Sequence, residues 1–277
     1  MKVLVLVRGA GDLASGVALR LHRSGFQVIM SELPQPLAVR RMVSFAEAIY
    51  RGEFDVEGVF AKRAEGLSEI QELILAGKIP ILIDPEGSII DRLKEYTREK
   101  FRFILIDGRM IKLKPERGLD QADLVIGLGP GYIAGEDCHA IVETKRGHYL
   151  GRVIWHGSAQ SNTGVPEGVW NHSSERVLRA PTDGVFHGLV DIGEHISPGQ
   201  IIAQVNSQTI KAPFQGVLRG LLHSGLTVTQ GSKIGDLDPR DDPRYCRLVS
   251  DKSLAIGGGV LEAILAWQDF GHSWLET

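Results

Sequence analysis

The chain has 277 residues, of which 31 are basic and 34 acidic, giving a net charge of −3 at pH 7. This balance lacks the basic surface that binds nucleic acid or an anionic membrane, so we expect a small-molecule or protein partner. We recognise neither a signal peptide nor an apolar run long enough to cross a membrane, which predicts a cytoplasmic protein. The length favours two domains.

Disulfides and metal sites are not favoured. The two cysteines, Cys138 and Cys246, lie far apart and in no C-x-x-C, unlike a disulfide framework or a cysteine zinc site. The acids and histidines near Cys138 follow no recognised zinc spacing; they are Asp137, His139, His148 and His156. We therefore predict no metal.

The chain begins with the pattern of a strand, a glycine turn, a helix and a second strand. Residues 3–7 form an unbroken apolar run rich in β-branched residues, typical of a parallel strand buried on both faces. From residue 13, apolar side chains recur at the spacing of one helix face until Gly25 ends the helix. Residues 26–30 predict a second strand, which finishes at Glu32.

The glycine turn matches a dinucleotide-binding fingerprint. Gly9, Gly11 and Ala14 fit G-x-G-x-x-G/A, in which the glycines allow a tight turn and a close approach of pyrophosphate to the backbone. The phosphates would lie at the helix N-terminus, and Glu32 follows at the distance of the acid that holds the ribose hydroxyls. The alternative is a glycine turn without a ligand. NAD or another nucleotide is the predicted cofactor.

Asp12 departs from a plain NAD site. It directly follows the second glycine, where its carboxylate would approach a pyrophosphate. An acid in the first turn of a helix also interacts favourably with the helix dipole. We include Asp12 among the predicted cofactor-binding residues and leave open a nucleotide other than NAD.

The next elements alternate between helix and strand. Helices are predicted at residues 36–49, 67–76 and 89–97, and strands at residues 56–61, 79–83, 103–106 and 124–126. This alternation indicates an α/β fold, a Rossmann-like doubly wound parallel sheet. Asp84 and Asp107 each follow a strand, at the sheet edge where ligands bind in such folds. The simpler alternative for each is a turn or cap residue, and it is favoured for Asp84, which precedes Pro85.

Two basic residues follow the second strand. Arg40 and Arg41 would either reach the phosphates of a bound nucleotide or belong to a solvated helix face. A solvated face is the commoner situation.

A glycine-rich loop and a charged hairpin follow the last of these strands. Gly129 and Gly131 lie in the loop, which is a second candidate anion cradle. The hairpin carries Glu143, Arg146 and His148, our candidate catalytic residues, with His148 as acid/base because its pKa is ordinarily near neutrality. The alternative is a hydrogen-bonded hairpin without chemistry.

The second half contains an internal duplication. The segments that begin at Ala180 and Ala212 share Ala-Pro-x-x-Gly-Val and further glycines at an offset of 212 − 180 = 32 residues. The arrangement resembles the lipoyl and biotinyl carrier domains, which implies a small all-β barrel-sandwich. Those carriers modify a lysine between the halves, whereas Lys211 lies later, so we expect a structural or docking module.

A last apolar helical pattern follows the duplication. It includes Val260 and Ile264 and is preceded by three glycines, Gly257, Gly258 and Gly259. We predict that this helix returns to the first domain. The glycines are either an anion site at the helix N-terminus or a close packing contact. The predicted domains are residues 1–174, 175–238 and 239–277.

Six segments together resemble one family over nearly the whole chain. They are GAGDLASG, SELPQPLAVRR with SFAEA, GLGPGYIAGED, ETKRGHYLGRVIW, the APxxG repeat and SDKSLAIGGGVLEA. The family is the selenium-dependent molybdenum hydroxylase accessory proteins. The resemblance implies a role in maturing such a hydroxylase, with the client enzyme or its cofactor as partner.

The resemblance assigns no reaction, so it stays open whether the chain is an enzyme. Two alternatives to a nucleotide-binding accessory protein remain: an NAD-dependent oxidoreductase acting on a small molecule, and a non-catalytic scaffold that docks the client. A homo-oligomer is compatible with the sequence.

Overall fold

The computed structural model describes residues 2–98, 101–111, 118–161 and 174–270. In these residues the protein is α/β, with one nine-stranded sheet and two four-stranded antiparallel sheets. The strands of the large sheet are β1 (Lys2–Arg8), β2 (Gln27–Glu32), β3 (Glu53–Val56), β4 (Val59–Arg63), β5 (Ile79–Ile83), β6 (Phe101–Asp107), β7 (Leu124–Leu128), β8 (Ala140–Val142) and β9 (Val153–Ile154). Their order is β3-β4-β5-β2-β1-β6-β7-β8-β9.

Seven of these strands, from β4 to β8 in that order, pair in parallel, and only the edge strands β3 and β9 are antiparallel to their neighbours. The helices are α1 (Asp12–Arg23), α2 (Glu47–Arg51), α3 (Leu67–Leu75), α4 (Ile89–Thr97) and α5 (Asp251–Phe270). Short 3-10 helices occupy Arg41–Val43, Leu119–Gln121, Ser174–Arg176 and Pro243–Cys246.

Both faces of β1 are buried, which explains its unbroken apolar sequence. Val5 and Val7 pack in a core with residues of α1 and α5, whereas Leu4 and Leu6 pack in a second core with residues of α3 and α4. Successive side chains of a strand point to opposite faces, so only a strand covered on both sides needs apolar residues at every position.

Two predicted elements are wrong. Residues 36–49 form no continuous helix: the 3-10 helix Arg41–Val43 and the start of α2 interrupt an irregular segment, in which the carbonyl of Val39 accepts the backbone N–H of Leu221 in one of the antiparallel sheets. Residues 56–61 are not one strand but part of the β3–β4 hairpin. Glu57 and Gly58 turn the chain there with φ of 49° and 81°, and this left-handed pair reverses the chain.

The second half forms a β module, defined here as residues 177–238. Its strands are β10 (Val177–Arg179), β11 (Gly184–Gly188), β12 (His195–Ile196), β13 (Ile201–Val205), β14 (Gln208–Lys211), β15 (Gly216–Leu221), β16 (Thr227–Val228) and β17 (Lys233–Asp238). One sheet has the order β10-β17-β15-β12, and the other has the order β14-β13-β11-β16.

The sequence repeat is also a repeat of strands. The starts of β11, β12 and β13 precede those of β15, β16 and β17 by 32 residues each (184 to 216, 195 to 227, 201 to 233). The two halves exchange their short strands, since β12 pairs with β15 and β16 pairs with β11. Neither half completes a sheet by itself.

Helix α5 packs against α1, and the triple glycine lies inside α5, which begins at Asp251. The proposed anion site at a helix N-terminus is therefore wrong. A Cβ on Gly257 would lie 3.0 Å from the carbonyl oxygen of Gly16, and one on Gly259 would collide with the carbonyl oxygen of Gly151. These glycines permit close packing. In the described residues, no helix is long and apolar enough to cross a membrane.

The predicted domain boundaries at residues 174 and 238 stay a prediction. Residues 162–173, which precede the first of these boundaries, lie outside the described residues.

Candidate functional site

The predicted glycine turn lies at the carboxyl edge of the parallel sheet, between β1 and α1. Gly9 has a φ of 88°, a left-handed conformation that favours glycine. A Cβ there would lie 3.2 Å from the backbone of Gly108, just after the neighbouring strand β6. Ala14 meets the same segment, since a Cβ on Gly108 would lie 2.9 Å from its methyl group. Gly9 and Ala14 thus have the structural roles that their spacing predicts.

Gly11 differs from Gly9, because nothing in the described protein requires glycine there. Its φ is −70°, which any residue can adopt, and an added Cβ would meet no atom within 4 Å. It is also the N-cap of α1, and its end of the helix has no side-chain cap. The first N–H groups of a helix have no partner within the helix, so this uncapped end is suited to an anion.

Glu32 is linked directly to the glycine turn. Its Oε2 accepts the backbone N–H of Ala10 at 2.6 Å, and its Oε1 accepts the backbone N–H of Leu33 at 2.8 Å. Burial raises the pKa of Glu32 above its usual 4.5, although the two backbone hydrogen bonds act in the opposite direction. The acid at the end of β2 and the turn at the end of β1 are therefore joined by a hydrogen bond and belong to one candidate site.

Asp12 is turned toward the protein. Its Oδ2 lies 2.9 Å from Nη1 of Arg40, and its Oδ1 accepts the hydroxyl of Ser253 at 2.8 Å. Arg40 is buried and also donates to the carbonyls of Tyr245 and Leu248. Arg40 offsets the negative charge of this carboxylate. Asp12 therefore does not oppose the binding of a phosphate at the glycine turn.

Arg41 also binds partners away from the glycine turn. Its Nε donates to the carbonyl of Leu221 at 2.6 Å, and its Nη1 lies 3.2 Å from Nδ1 of His223. The buried carboxylate of Glu47 receives Nε2 of His223 at 2.7 Å. Arg40 is 7% and the Arg41 side chain 16% exposed, so the prediction of a solvated helix face is wrong, whereas a role in binding phosphates stays a prediction. The two arginines join the first half of the chain to the β module and the C-terminal segment.

A second polar group lies at the same edge, after β6. Arg109 forms a bidentate salt bridge with Asp107. Its Nη2 lies 2.6 Å from Oδ2, and its Nε lies 3.0 Å from Oδ1. The hydroxyl of Tyr132 also bonds Asp107, and its burial, with the nearby Asp107 charge, raises the Tyr132 pKa. Asp107 pairs in register with Arg8, beside the glycine turn.

Sequence reasoning singled out Asp107 by its place after a strand but missed Arg109 and Tyr132. Met110 next to them has a φ of 58°, which is uncommon for a residue other than glycine. No sequence spacing links residue 132 to residue 107. Asp84, by contrast, accepts the N–H groups of Ser88 and Ile89 at the start of α4, the cap role that was the simpler alternative.

The two loop glycines also have local structural roles. Gly129 has a φ of 70°, and a Cβ there would collide with Oγ1 of Thr144. Gly131 has a φ of 117°. Since backbone conformation and packing already require glycine at these positions, the second anion cradle stays a prediction.

Two of the three candidate catalytic residues, Glu143 and Arg146, bind different partners. Glu143 is buried, and its carboxylate accepts the backbone N–H groups of Lys145 and Gln160 at 2.7 Å each. Arg146 pairs with Asp251 at 2.6 Å and its hydrogen bond lowers the pKa of Asp251 to about 2. His148 is exposed.

Glu143 supports the hairpin from within, whereas Arg146 binds the start of α5, and these contacts do not join the two side chains. Their catalytic roles stay a prediction. In the ranges that the structure covers, no group of three or more His, Cys, Asp or Glu residues is arranged to hold a metal ion.

Comparisons with known proteins give one close sequence relative. YqeB of Escherichia coli (strain K12), an uncharacterized protein, is 47% identical over 262 residues. The matched region covers 95% of this chain and 47% of YqeB, so the chain spans about half the length of the curated relative it matches. No family model matches the chain.

Solved structures show a weak likeness. An aspartoacylase family protein from Mesorhizobium loti has a TM-score of 0.28 at 12% identity, with 86% of this chain and 85% of that chain covered. The ectoine utilization protein EutE (DoeB) from Ruegeria pomeroyi has a TM-score of 0.26 at 12% identity, with 85% of each chain covered. Scores this low carry no argument about fold or function.

Proposed function

We propose that the chain binds a dinucleotide or a molybdenum-cofactor nucleotide at the turn of Gly9, Ala10 and Gly11, and serves as an accessory protein in the maturation of a selenium-dependent molybdenum hydroxylase. Gly11 is the observation that carries the nucleotide site. Its φ and its surroundings accept a side chain, so a ligand that approaches the backbone closely is the physical reason for glycine there.

The arrangement of the strands supports the same site. Strands β5-β2-β1-β6-β7-β8 are parallel neighbours, and their order along the chain corresponds to 3-2-1-4-5-6, that of Rossmann-like folds. In open α/β sheets, ligands bind where the strand order reverses, at the carboxyl ends. Here that point lies between β1 and β6, where the glycine turn meets Gly108.

The maturation role rests on the family resemblance of the sequence segments, and the β module fits it. We take this module, whose halves exchange strands, to be a barrel-sandwich of the lipoyl/biotinyl type that contacts the client hydroxylase. Lys211 follows Gln208 within β14 rather than lying on the connecting turn, which supports a docking role over a carrier role.

The test is calorimetric titration of the purified protein with NAD(H), ATP and molybdopterin nucleotides. We expect one of them to bind with a dissociation constant in the micromolar range typical of cofactor-sized ligands. The Gly11→Val variant should lose at least about tenfold in affinity, because the added methyl groups point into the ligand's approach.

Gly66→Val is the matched control. Gly66 is also the N-cap glycine of a helix, α3, with an extended backbone and no atom within 4 Å of an added Cβ. Both variants should fold alike, and only the Gly11 variant should bind poorly. Equal affinity of wild type and Gly11→Val would refute the site, and no binding of any nucleotide would favour the docking scaffold.

A further inference from the structure

Hydrogen bonds join the start of α1 to strand β15 of the β module. Arg40, which binds Asp12, also donates to the carbonyl of Tyr245. Cys246, the next residue, is buried, and its thiol donates to the carbonyl of Leu218 in β15 at 3.6 Å. Strand β15, with its neighbour β17, is therefore held beside the N-terminus of α1.

Buried ion pairs connect these two strands. Nη2 of Arg176 and Nη2 of Arg219 lie 3.0 Å and 2.6 Å from the carboxylate of Asp236. Asp238 lies 3.1 Å from Nη1 of Arg219 and 2.6 Å from Nη2 of Arg240. Both carboxylates are 1% exposed, and a buried carboxylate is stable only with such partners. Each of them therefore has two guanidinium groups beside it.

The internal repeat shows that the strand arrangement does not require these charges. Lys233 and Ile201 are the first residues of the equivalent strands β17 and β13. At the same offset, 236 − 204 = 32 residues, Asp236 corresponds to Gln204. The first copy thus forms the same strands with uncharged residues at these positions. The charges are a property of the copy that is bonded to the C-terminal segment beside α1.

Lys233 differs from the arginines because it makes no ion pair. It is exposed, and in the part of the chain that the structure describes its ammonium has no hydrogen-bond or ion-pair partner. Burial by the surrounding protein lowers its pKa below the usual 10.5, although the carboxylates of Asp236 and Asp12 act in the opposite direction. Lys233 is therefore a cation that a ligand can reach, and the charge of Asp12 at the start of α1 acts on it.

A nucleotide at the glycine turn would bring phosphates to this region. NAD and the dinucleotide forms of the molybdenum cofactor contain a diphosphate, and ATP contains a triphosphate. The uncapped N-terminus of α1 offers N–H groups to such an anion, but these groups carry only partial charges. Asp12 is already bound to Arg40 and Ser253, so its carboxylate does not occupy the ammonium of Lys233.

We propose that Lys233 binds the diphosphate of the nucleotide at the glycine turn, so that the β module supplies a residue of the ligand site. The inference rests on the proposed nucleotide site and adds to it a cation from the second half of the chain. An ammonium binds phosphate as a point charge, so this contribution does not depend on the base of the nucleotide. The module then takes part in ligand binding as well as in docking.

The test is calorimetric titration of the full chain with NAD⁺, ATP and a molybdopterin dinucleotide, in the wild type, Lys233→Gln and Lys233→Arg. We expect Lys233→Gln to weaken binding of the nucleotide by about tenfold or more, because a charge-assisted hydrogen bond to phosphate is lost. Lys233→Arg keeps the charge and should stay within about threefold of the wild type. Circular dichroism checks that each variant is folded.

Lys211→Gln is the matched control. Lys211 is an exposed lysine at the end of β14, in the other sheet of the β module, and its replacement should leave the affinity unchanged. Chemical labelling of the wild type gives a second readout that needs no variant. Acetylation by sulfo-N-hydroxysuccinimide acetate, followed by mass spectrometry, should be slowed severalfold at Lys233 by saturating nucleotide and unchanged at Lys211.

Two results would overturn the inference and leave the nucleotide site standing, because Gly11→Val tests that site separately. One is wild-type affinity in Lys233→Gln, and the other is equal labelling of Lys233 with and without nucleotide. Binding of none of the three nucleotides to the wild type would overturn the inference together with the proposed function.

Discussion

Nε2 of His223 lies 2.7 Å from Oε2 of Glu47, and this contact joins the first half of the chain to the β module. Glu47 is 2% exposed and also receives Nε of Arg51 at 2.6 Å. The ring of His223 lies on that of Tyr50, with centroids 3.9 Å apart. A buried carboxylate with two charge-assisted partners holds this interface together.

Glu47→Gln should therefore lower the free energy of unfolding by about 1–3 kcal/mol at pH 7. Burial by itself raises the pKa of Glu47, but the hydrogen bonds from His223 and Arg51 outweigh it and lower the pKa below its usual 4.5. The ionised carboxylate stabilises the fold above pH 4.5, and this contribution is lost as the pH falls through the lowered pKa.

Urea unfolding of wild type and variant across this pH range measures the difference. The difference in free energy of unfolding between wild type and Glu47→Gln should shrink as the pH falls. A difference that stays constant would contradict the stabilising role of the ionised Glu47. Glu65→Gln is the control, because Glu65 is 69% exposed in its pair with Arg63 and should contribute less than about 1 kcal/mol.

Glu32 should show the opposite pH dependence. Burial raises its pKa above 4.5, against the hydrogen bonds from Leu33 and Ala10. Ionisation of such a group costs stability, so its contribution is present below pH 4.5 and lost as the pH rises through the raised pKa. Relative to Glu32→Gln, the wild type should thus lose stability from about pH 4 toward pH 7. Urea unfolding at both pH values checks the sign, and a relative gain would show that the backbone hydrogen bonds dominate.

Adjacent glycines of α5 should respond to alanine with opposite signs. A Cβ at Gly259 would collide with the carbonyl oxygen of Gly151, whereas a Cβ at Gly258 would meet no atom within 4 Å. Gly259→Ala should destabilise the protein by about 1–3 kcal/mol through overpacking. Gly258→Ala should stabilise it by about 0.5–1 kcal/mol, because alanine is the better helix former. Thermal unfolding of the two variants tests this, and equal effects would refute the packing of α5.

Arg40 should contribute strongly to stability. It is buried and binds Asp12 and the carbonyls of Tyr245 and Leu248. Arg40→Met should cost about 2–4 kcal/mol, because it leaves the Asp12 carboxylate without its cationic partner and removes the donor to the two carbonyls. Arg102→Met is the control: Arg102 pairs with Asp123 at 3.3 Å in an exposed position, which is worth at most about 1 kcal/mol. Chemical unfolding measures both variants. If Arg40→Met and Arg102→Met lose a similar free energy of unfolding, the buried contacts of Arg40 do not contribute strongly to stability.

Local patterns predicted the elements that depend on local forces. The apolar run before Gly9 and the helical spacing after Gly11 correspond to β1 and α1, because burial on two faces or on one face leaves a period in the sequence. The same holds for β5, α3 and α4. The helix predicted at residues 36–49 was wrong. Val39 and Arg41 of this segment instead make hydrogen bonds with Leu221 of the β module, and such tertiary contacts can override a local helix propensity.

The glycine fingerprint, Glu32 and the 32-residue repeat were thus determined by the sequence, since each depends on the spacing of residues along one stretch of chain. The partners of the charged groups were decided only by the tertiary structure. Asp12 bonds Ser253, 241 residues away, and Arg41 bonds Leu221, 180 residues away. No local spacing encodes such contacts, because they depend on the path of the whole chain. The same path gave the glycine turn its polar neighbours Asp107, Arg109 and Tyr132.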